Sequence, residues 1–284
     1  MNHKLILSLF TAALLATGCA STSEPLSYNN DKSRALNIAQ AGGVYDASDR
    51  IVHRANYEGL QFAGNTMNKT LLFTSSAGAG LDLVDGFGTG LALSLAENPT
   101  PANRNSIIAW MPESDAASKP EAAEKLREAF TKAIELSLDE LGANYVKSPG
   151  HKGEVVEIRF DSETLGCPDY TENPELDWRE LCFVQAQIIE PKTPSLTPAF
   201  VSSEATSYRF NSKDKYRYNR FKVLLPEQAQ ALQEPLTRAI SRNLPDWAFI
   251  YIARGQVQLD EQTVTVPYLL EQGTPHLFIH HDDA

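Results

Sequence analysis

A chain of 284 residues that is 42% hydrophobic and 21% charged carries enough apolar material for one large core or two small ones, which excludes disorder throughout. Its net charge is −11, and removing residues 1–18 takes away Lys4 and no acid, leaving −12. That balance argues against nucleic acid as the main partner, because such binding rests on neutralising phosphates, and no Lys/Arg-rich run of nuclear type occurs.

The chain opens with Lys4, an apolar run over 5–15, and the small residues Ala16, Thr17 and Gly18. A transmembrane helix needs about 20 apolar residues, so this run does not span a bilayer; its layout is that of an export signal. The ending "LLATGC" resembles the lipobox of bacterial lipoprotein precursors, with a departure at Ala16, where the family usually has Leu. The resemblance implies that the thiol of Cys19 receives a diacylglyceryl group, that the signal is cut just before it, and that the new amino group is acylated. Several acyl chains on one residue, at about 0.8 kcal/mol per buried CH₂, exceed the two-signal threshold for stable anchoring. Ala20 stands where an Asp would favour retention at the inner membrane, so the resemblance implies the outer membrane, periplasmic face. The polar, turn-forming residues that follow read as a flexible tether, giving a signal over 1–18 and a lipidated tether over 19–33.

Residues 34–40 read as a short helix, and Ile51, Val52, Ala55, Tyr57 and Leu60 fit a helical period over 47–62 incompletely. The glycine-rich segment 71–99 has two readings. Gly86, Gly88 and Gly90 shape a ligand loop or a membrane or partner contact, or the small residues simply let backbones approach closely. A dinucleotide loop is excluded, because Leu83 and Leu91 stand where its third glycine belongs, and the uncharged run 86–96 is too short to span. A strand over 106–111 stops at Pro112. Ser118 and Glu121 then form a capping-box pattern, and Ala123, Leu126, Phe130, Ala133, Ile134, Leu138 and Leu141 recur at helical spacing until Gly142 ends the helix. Strands are expected at 144–147, 154–160 and 181–189.

After a proline-marked link the pattern begins again. "RFKVLLPEQ" parallels "IIAWMPES", a helix follows over 227–243 with Pro235 expected to kink or split it, and strands follow at 247–253, 262–268 and 276–280. Whether duplication or analogy, the order favours α+β: antiparallel sheet with helices packed on one face, in an N-terminal region 34–190, a link 191–205 and a C-terminal region 206–284.

With Cys19 taken for lipid, Cys167 and Cys182 form an even pair in an oxidising compartment. A disulfide is the simplest reading and two free thiols the alternative; a metal site lacks ligands. Closing a loop of about 15 residues would contribute about 3 kcal/mol.

The stretch 208–222, "YRFNSKDKYRYNRFK", stands out in an acidic chain. Six basic residues, Arg209, Lys213, Lys215, Arg217, Arg220 and Lys222, face the single acid Asp214. Tyr208, Phe210, Tyr216 and Tyr218 share one parity and Arg209, Lys213, Lys215 and Arg217 the other, so a strand would separate an aromatic face from a cationic one, and "NSKD" would turn it into a hairpin. That surface suits an anionic envelope polymer, a lipid headgroup or an acidic partner; its alternative is a solvated hairpin resting on the core. The acidic loop 161–180 either binds a cation, pairs with the basic stretch, or is a solvated surface loop.

His276 and His280 on one strand would lie about 13 Å apart, too far to chelate one ion, and no metal or cofactor is expected. No nucleophile-elbow, Ser-x-x-Lys or Cys-His signature is present, so no catalytic residue is assigned. The expectation is an outer-membrane lipoprotein with a periplasmic domain that binds, assembles or assists in the envelope. The alternatives are a hydrolase whose site is assembled from distant residues, and a module for anionic glycan such as peptidoglycan or lipopolysaccharide.

Overall fold

The computed structural model describes residues 26–52, 100–148, 153–169, 177, 179–211, 218–259 and 262–281. Cys19, the 71–99 segment, Lys213, Lys215 and Arg217 lie outside them.

The fold is α+β, a mostly antiparallel sheet with three α-helices among the described residues. Helix α1 (Arg34–Ala41) begins at Ser33, whose hydroxyl accepts from Leu36 N at 3.0 Å. The segment before it is tied down: Asn29 N donates to Asn37 Oδ1 at 2.9 Å, and Tyr28 meets Phe200 ring to ring at 5.5 Å. The last residues placed in the tether therefore belong to the folded body. Strand β1 (Arg50–Val52) takes part of the span read as a weak helix and pairs in parallel with β12 (Ile279–His281). Two β-branched residues in succession at Ile51 and Val52 suit this extended pairing.

Strand β2 (Ser106–Pro112) leads to α2 (Lys119–Glu140), capped as expected: Ser118 Oγ accepts from Glu121 N at 3.3 Å, and Glu121 Oε2 accepts from Ala117 N at 2.9 Å. Gly142, at φ +64°, turns the chain out of the helix. The next strands are β3 (Asn144–Lys147), β4 (Val155–Asp161), β5 (Cys182–Gln187), β6 (Ser195–Leu196), β7 (Thr206–Phe210) and β8 (Arg220–Leu224). A 3₁₀ segment (Glu227–Leu232) precedes α3 (Gln233–Arg242), so the split falls just before Pro235. The proline occupies the first helical turn, where its missing N–H would have found no partner within the helix. Strands β9 (Ala248–Leu259), β10 (Gln262–Glu271) and β11 (Thr274–Leu277) complete the order.

The main sheet runs β11-β10-β9-β2-β8-β5-β4-β3, with β7 also on β2 and β6 on β7. Strands of the two sequence regions thus interleave in one sheet. Both β2 and β8 border a three-stranded meander, but β2 borders β9, the first strand after α3, whereas β8 borders β5, the last of its meander. A strand-for-strand duplication would match first with first, and this arrangement does not.

Helices α2 and α3 cover one face, burying Leu126, Phe130, Leu236 and Ile240 against Ile107, Ile158, Val184 and Ile250. Helix α1 packs on the opposite face, with Leu36 and Ile38 against Ile108, Trp110, Phe249 and Tyr251, so the helices are not confined to one side. At its end Gly42 comes so near β2 that an added Cβ would stand 2.3 Å from Ile108 Cγ2. Arg34 of α1 donates Nε to Glu271 at 2.7 Å, and His276 Nε2 lies 2.9 Å from the same carboxylate. Cys167 and Cys182 form a disulfide across a separation of 15 residues, both buried in the α2–α3 core.

Candidate functional site

The turn expected at "NSKD" falls on residues 212–214, outside the described residues. Strands β7 and β8 do not pair with each other; both run antiparallel to β2, β7 against its second half (Ala109↔Phe210) and β8 against its start (Ser106↔Arg220). They lie as two pieces along one side of β2, separated by residues 212–217, which lie outside the described residues. Asn219, buried, closes the base of this span by donating Nδ2 to Asn211 O at 3.3 Å and accepting at Oδ1 from Ile189 N at 2.9 Å. A loop whose ends are held together in this way is compact at its root.

The alternation differs in phase between the two pieces. Tyr208 and Phe210 enter the α2–α3 core, but so does Phe221. Side chains of even number therefore point to the core in β7 and away from it in β8. Arg209, Arg220 and Lys222 consequently share one face, the one opposite α2 and α3, and Tyr218 joins them instead of the core aromatics. Arg209 donates Nη2 to the carbonyl of Ala41, the last residue of α1, where a cation complements the helix dipole.

Around Tyr218 the charges converge. The Arg104 guanidinium lies 3.5 Å over the Tyr218 ring centroid, and the Arg220 guanidinium is 5.2 Å from it. Arg104 was not among the residues singled out from the sequence. Lys222 follows two positions along β8, and partial burial together with the charge of Arg220 lowers its pKa below the ordinary lysine value.

Register extends this face across β5 and β4. Arg220 stands opposite Gln187, Lys222 opposite Gln185 and Leu224 opposite Phe183; Gln185 in turn faces Glu157, and Phe183 faces Arg159. Gln185 donates to Glu157 at 2.8 Å. The result is a half-open face of cations, amides and two apolar side chains, broken by one carboxylate. Cations outnumber carboxylates on this face, an arrangement suited to retaining an anion.

Much of the acidic loop, including residues 170–176, lies outside the described residues, as do residues 212–217 of the basic stretch. That loop leaves β4 and enters β5 at Cys182, whereas Arg220 pairs with Gln187 at the other end of β5, about 17 Å along the strand. His276 and His280 fall on different strands, β11 and β12. Among the described residues no three His, Cys, Asp or Glu side chains are grouped to hold a metal, and no helix is long and apolar enough to cross a membrane. A groove of about 1010 Å³ between α2 and β4 carries Glu124, Arg127, Glu135 and Lys147, which pair among themselves, Lys147 with Glu135 at 3.9 Å and Arg127 with Glu124 at 2.5 Å.

No protein-family model matches the chain, and neither a curated protein nor a solved structure matches it.

Proposed function

We propose that this is a lipoprotein held by Cys19 at the periplasmic face of the bacterial outer membrane, and that its domain works by binding an anionic component of the envelope as an assembly or accessory factor. The observation that carries the binding half of this reading is the gathering of Arg209, Arg220 and Lys222 on one sheet face, at the root of a loop that holds Lys213, Lys215 and Arg217, in a chain of net charge −11. The lipobox supports the anchor, and the Cys167–Cys182 disulfide is in keeping with an oxidising compartment. Asn29, fixed to α1, follows Cys19 by ten residues, so the domain would stand within about 35 Å of its lipid.

The test uses the full acylated protein in neutral detergent, mixed with peptidoglycan and, separately, with lipopolysaccharide at low and high salt, beside a Lys215→Glu/Arg217→Glu variant. Retention that falls with salt and is lost in the variant is the expected result. Retention unaffected by both moves the working surface elsewhere, and no retention at all overturns the binding reading. For the anchor, Cys19→Ala should leave the membrane fraction; normal acylation and membrane recovery of that variant would defeat it.

A further inference from the structure

We infer that Arg159, Lys222 and Arg220 form a track across strands β4, β5 and β8 for an anionic polysaccharide, whose charges repeat along its length. This deepens the binding reading and rests on it. Even-numbered side chains of β8 share a face with odd-numbered ones of β4 and β5, because Ile158, Val184 and Phe221 all enter the α2–α3 core. Among the described residues no carboxylate pairs with Arg159, Arg220 or Lys222, and the Nε atoms of both arginines are buried without a hydrogen-bond partner. The carboxylates of the same face are engaged by neutral partners: Glu157 accepts from Ser148 Oγ and from Gln185, and Asp161 accepts from Asn144 at 3.0 Å. Cations left without a counter-charge by their own fold are places for an external one.

The spacing selects a chain over a single small anion. Arg159 stands opposite Phe183 and Phe183 opposite Leu224, so Lys222 lies two strands and two residues from Arg159, about 12 Å, and Arg220 two strands and four residues, about 17 Å. One phosphate or acetate cannot touch both ends, whereas a polymer charged at intervals can, each contact raising the effective concentration of the next. Between the charges lie the apolar side chains Phe183 and Leu224 and the amide of Gln187, which stands beside Arg220. Sugar rings carry both an apolar C–H face and hydroxyls, and so match this ground. The level of the face selects against a membrane. Helix α1 rests on the same side of the sheet, over β2 and β9, and rises about 10 Å above it, so the track is a shelf beside a raised layer. An extended chain lies along such a shelf, and a flat bilayer meets the raised layer first.

The experiment titrates the full acylated protein in neutral detergent with oligogalacturonates of one, two, four and eight rings, by calorimetry at low and high salt. Affinity should rise at least about tenfold from one ring to four and fall with salt. Lys222→Gln, a change at an exposed position, should lose most of that rise, and so should Arg159→Gln, while Arg159→Lys keeps it. A single ring needs only one contact, so Arg159→Gln should bind it within about twofold of the wild type. Affinity that does not depend on length, or an Arg159→Gln variant that keeps the full rise, overturns the track. If the protein is then still retained on peptidoglycan or lipopolysaccharide, the binding reading stands without it; absence of both oligosaccharide binding and polymer retention overturns both. Oligoglutamate of equal charge bound as tightly as four rings would reassign the track to an acidic peptide. Salt-sensitive adhesion of Cys19→Ala to vesicles carrying phosphatidic acid, lost when Arg159→Gln is added, would reassign it to a lipid surface, and either result overturns the polysaccharide.

Discussion

The two halves of the sheet are built on different terms. Strand β2, residues 248–253 of β9 and residues 268–270 of β10 are covered on both faces, by α3 on one side and by α1 with its neighbouring segment on the other. Among the described residues, helices cover strands β8, β5 and β4 on one face alone, and their other face carries Arg220, Lys222, Gln185, Glu157 and Arg159. The cause lies in local sequence: "SIIAWMP" is apolar at both parities and buried nearly throughout, whereas "VVEIRFD" alternates strictly between buried and half-buried positions. One half thus concentrates stability, and the other spends one face on polar groups held in fixed register, which is what a binding surface needs.

The sharpest way to break this comparison is to truncate one large side chain in each half. Trp110→Ala, at 1% exposure, should cost about 3–5 kcal/mol, whereas Phe183→Ala on the half-open face should cost about 1 kcal/mol. Denaturant unfolding midpoints decide the matter, and equal losses would mean that the open face is covered after all. Next in size is the disulfide, which staples the less covered half at the β4–β5 connection. Cys167→Ser/Cys182→Ser should lose about 3 kcal/mol, read from the same unfolding curves, and the native protein should show no reactive thiol before reduction.

A smaller effect tests how α1 is fastened to the doubly covered half. Burial works to raise the pKa of the Glu271 carboxyl, but hydrogen bonds from Arg34 and His276 overcome it and bring it down to about 2. A carboxylate lowered in the folded state contributes stability above its ordinary value of 4.5, and that contribution is lost as pH falls toward 2. Arg34 is 37% exposed, so screening limits the contribution to about 1–2 kcal/mol. Glu271→Gln should remove that amount at neutral pH and flatten the acid limb of the stability profile; an unchanged acid limb would show that α1 is held by packing alone.

Much of this division can be read along the chain, because each half follows the hydrophobic period of its own strands. The capped helix α2, its Gly142 stop and the cysteine pair are local or nearly local patterns, and such patterns survive folding intact. What resisted was long-range. The partner of each strand depends on where α2 and α3 deliver the chain, and nothing in "IIAWMPES" says that β2 will lie beside β9. The basic stretch failed for a subtler reason: parity was carried unbroken through 208–222, whereas β7 and β8 stand in opposite phase. The signal was present, since Tyr208 and Phe210 are even-numbered and Phe221 and Val223 odd, and an apolar phase that changes sign marks an insertion between two strand pieces. Arg104 gave no local sign, because its meeting with Tyr218 depends on the pairing of β8 with the start of β2.

The least costly substitution sharpens the comparison from the open side. Lys222 is exposed, so Lys222→Gln should change stability at neutral pH by less than about 0.5 kcal/mol, far below the loss at Trp110. Its signature should lie at high pH. Partial burial and the neighbouring Arg220 lower its folded pKa below the unfolded value, so in the interval between the two values the unfolded chain holds more protons. Stability from this group therefore rises with pH across that interval, and the rise should be missing from the variant. Arg220→Gln should bring the Lys222 pKa only part of the way back toward its ordinary value and diminish the same rise without abolishing it, because burial, the larger of the two lowering influences, remains. If the alkaline limbs of the wild type and Lys222→Gln superimpose, the two cations do not sense each other, and the half-open face is a set of separate solvated charges rather than one field.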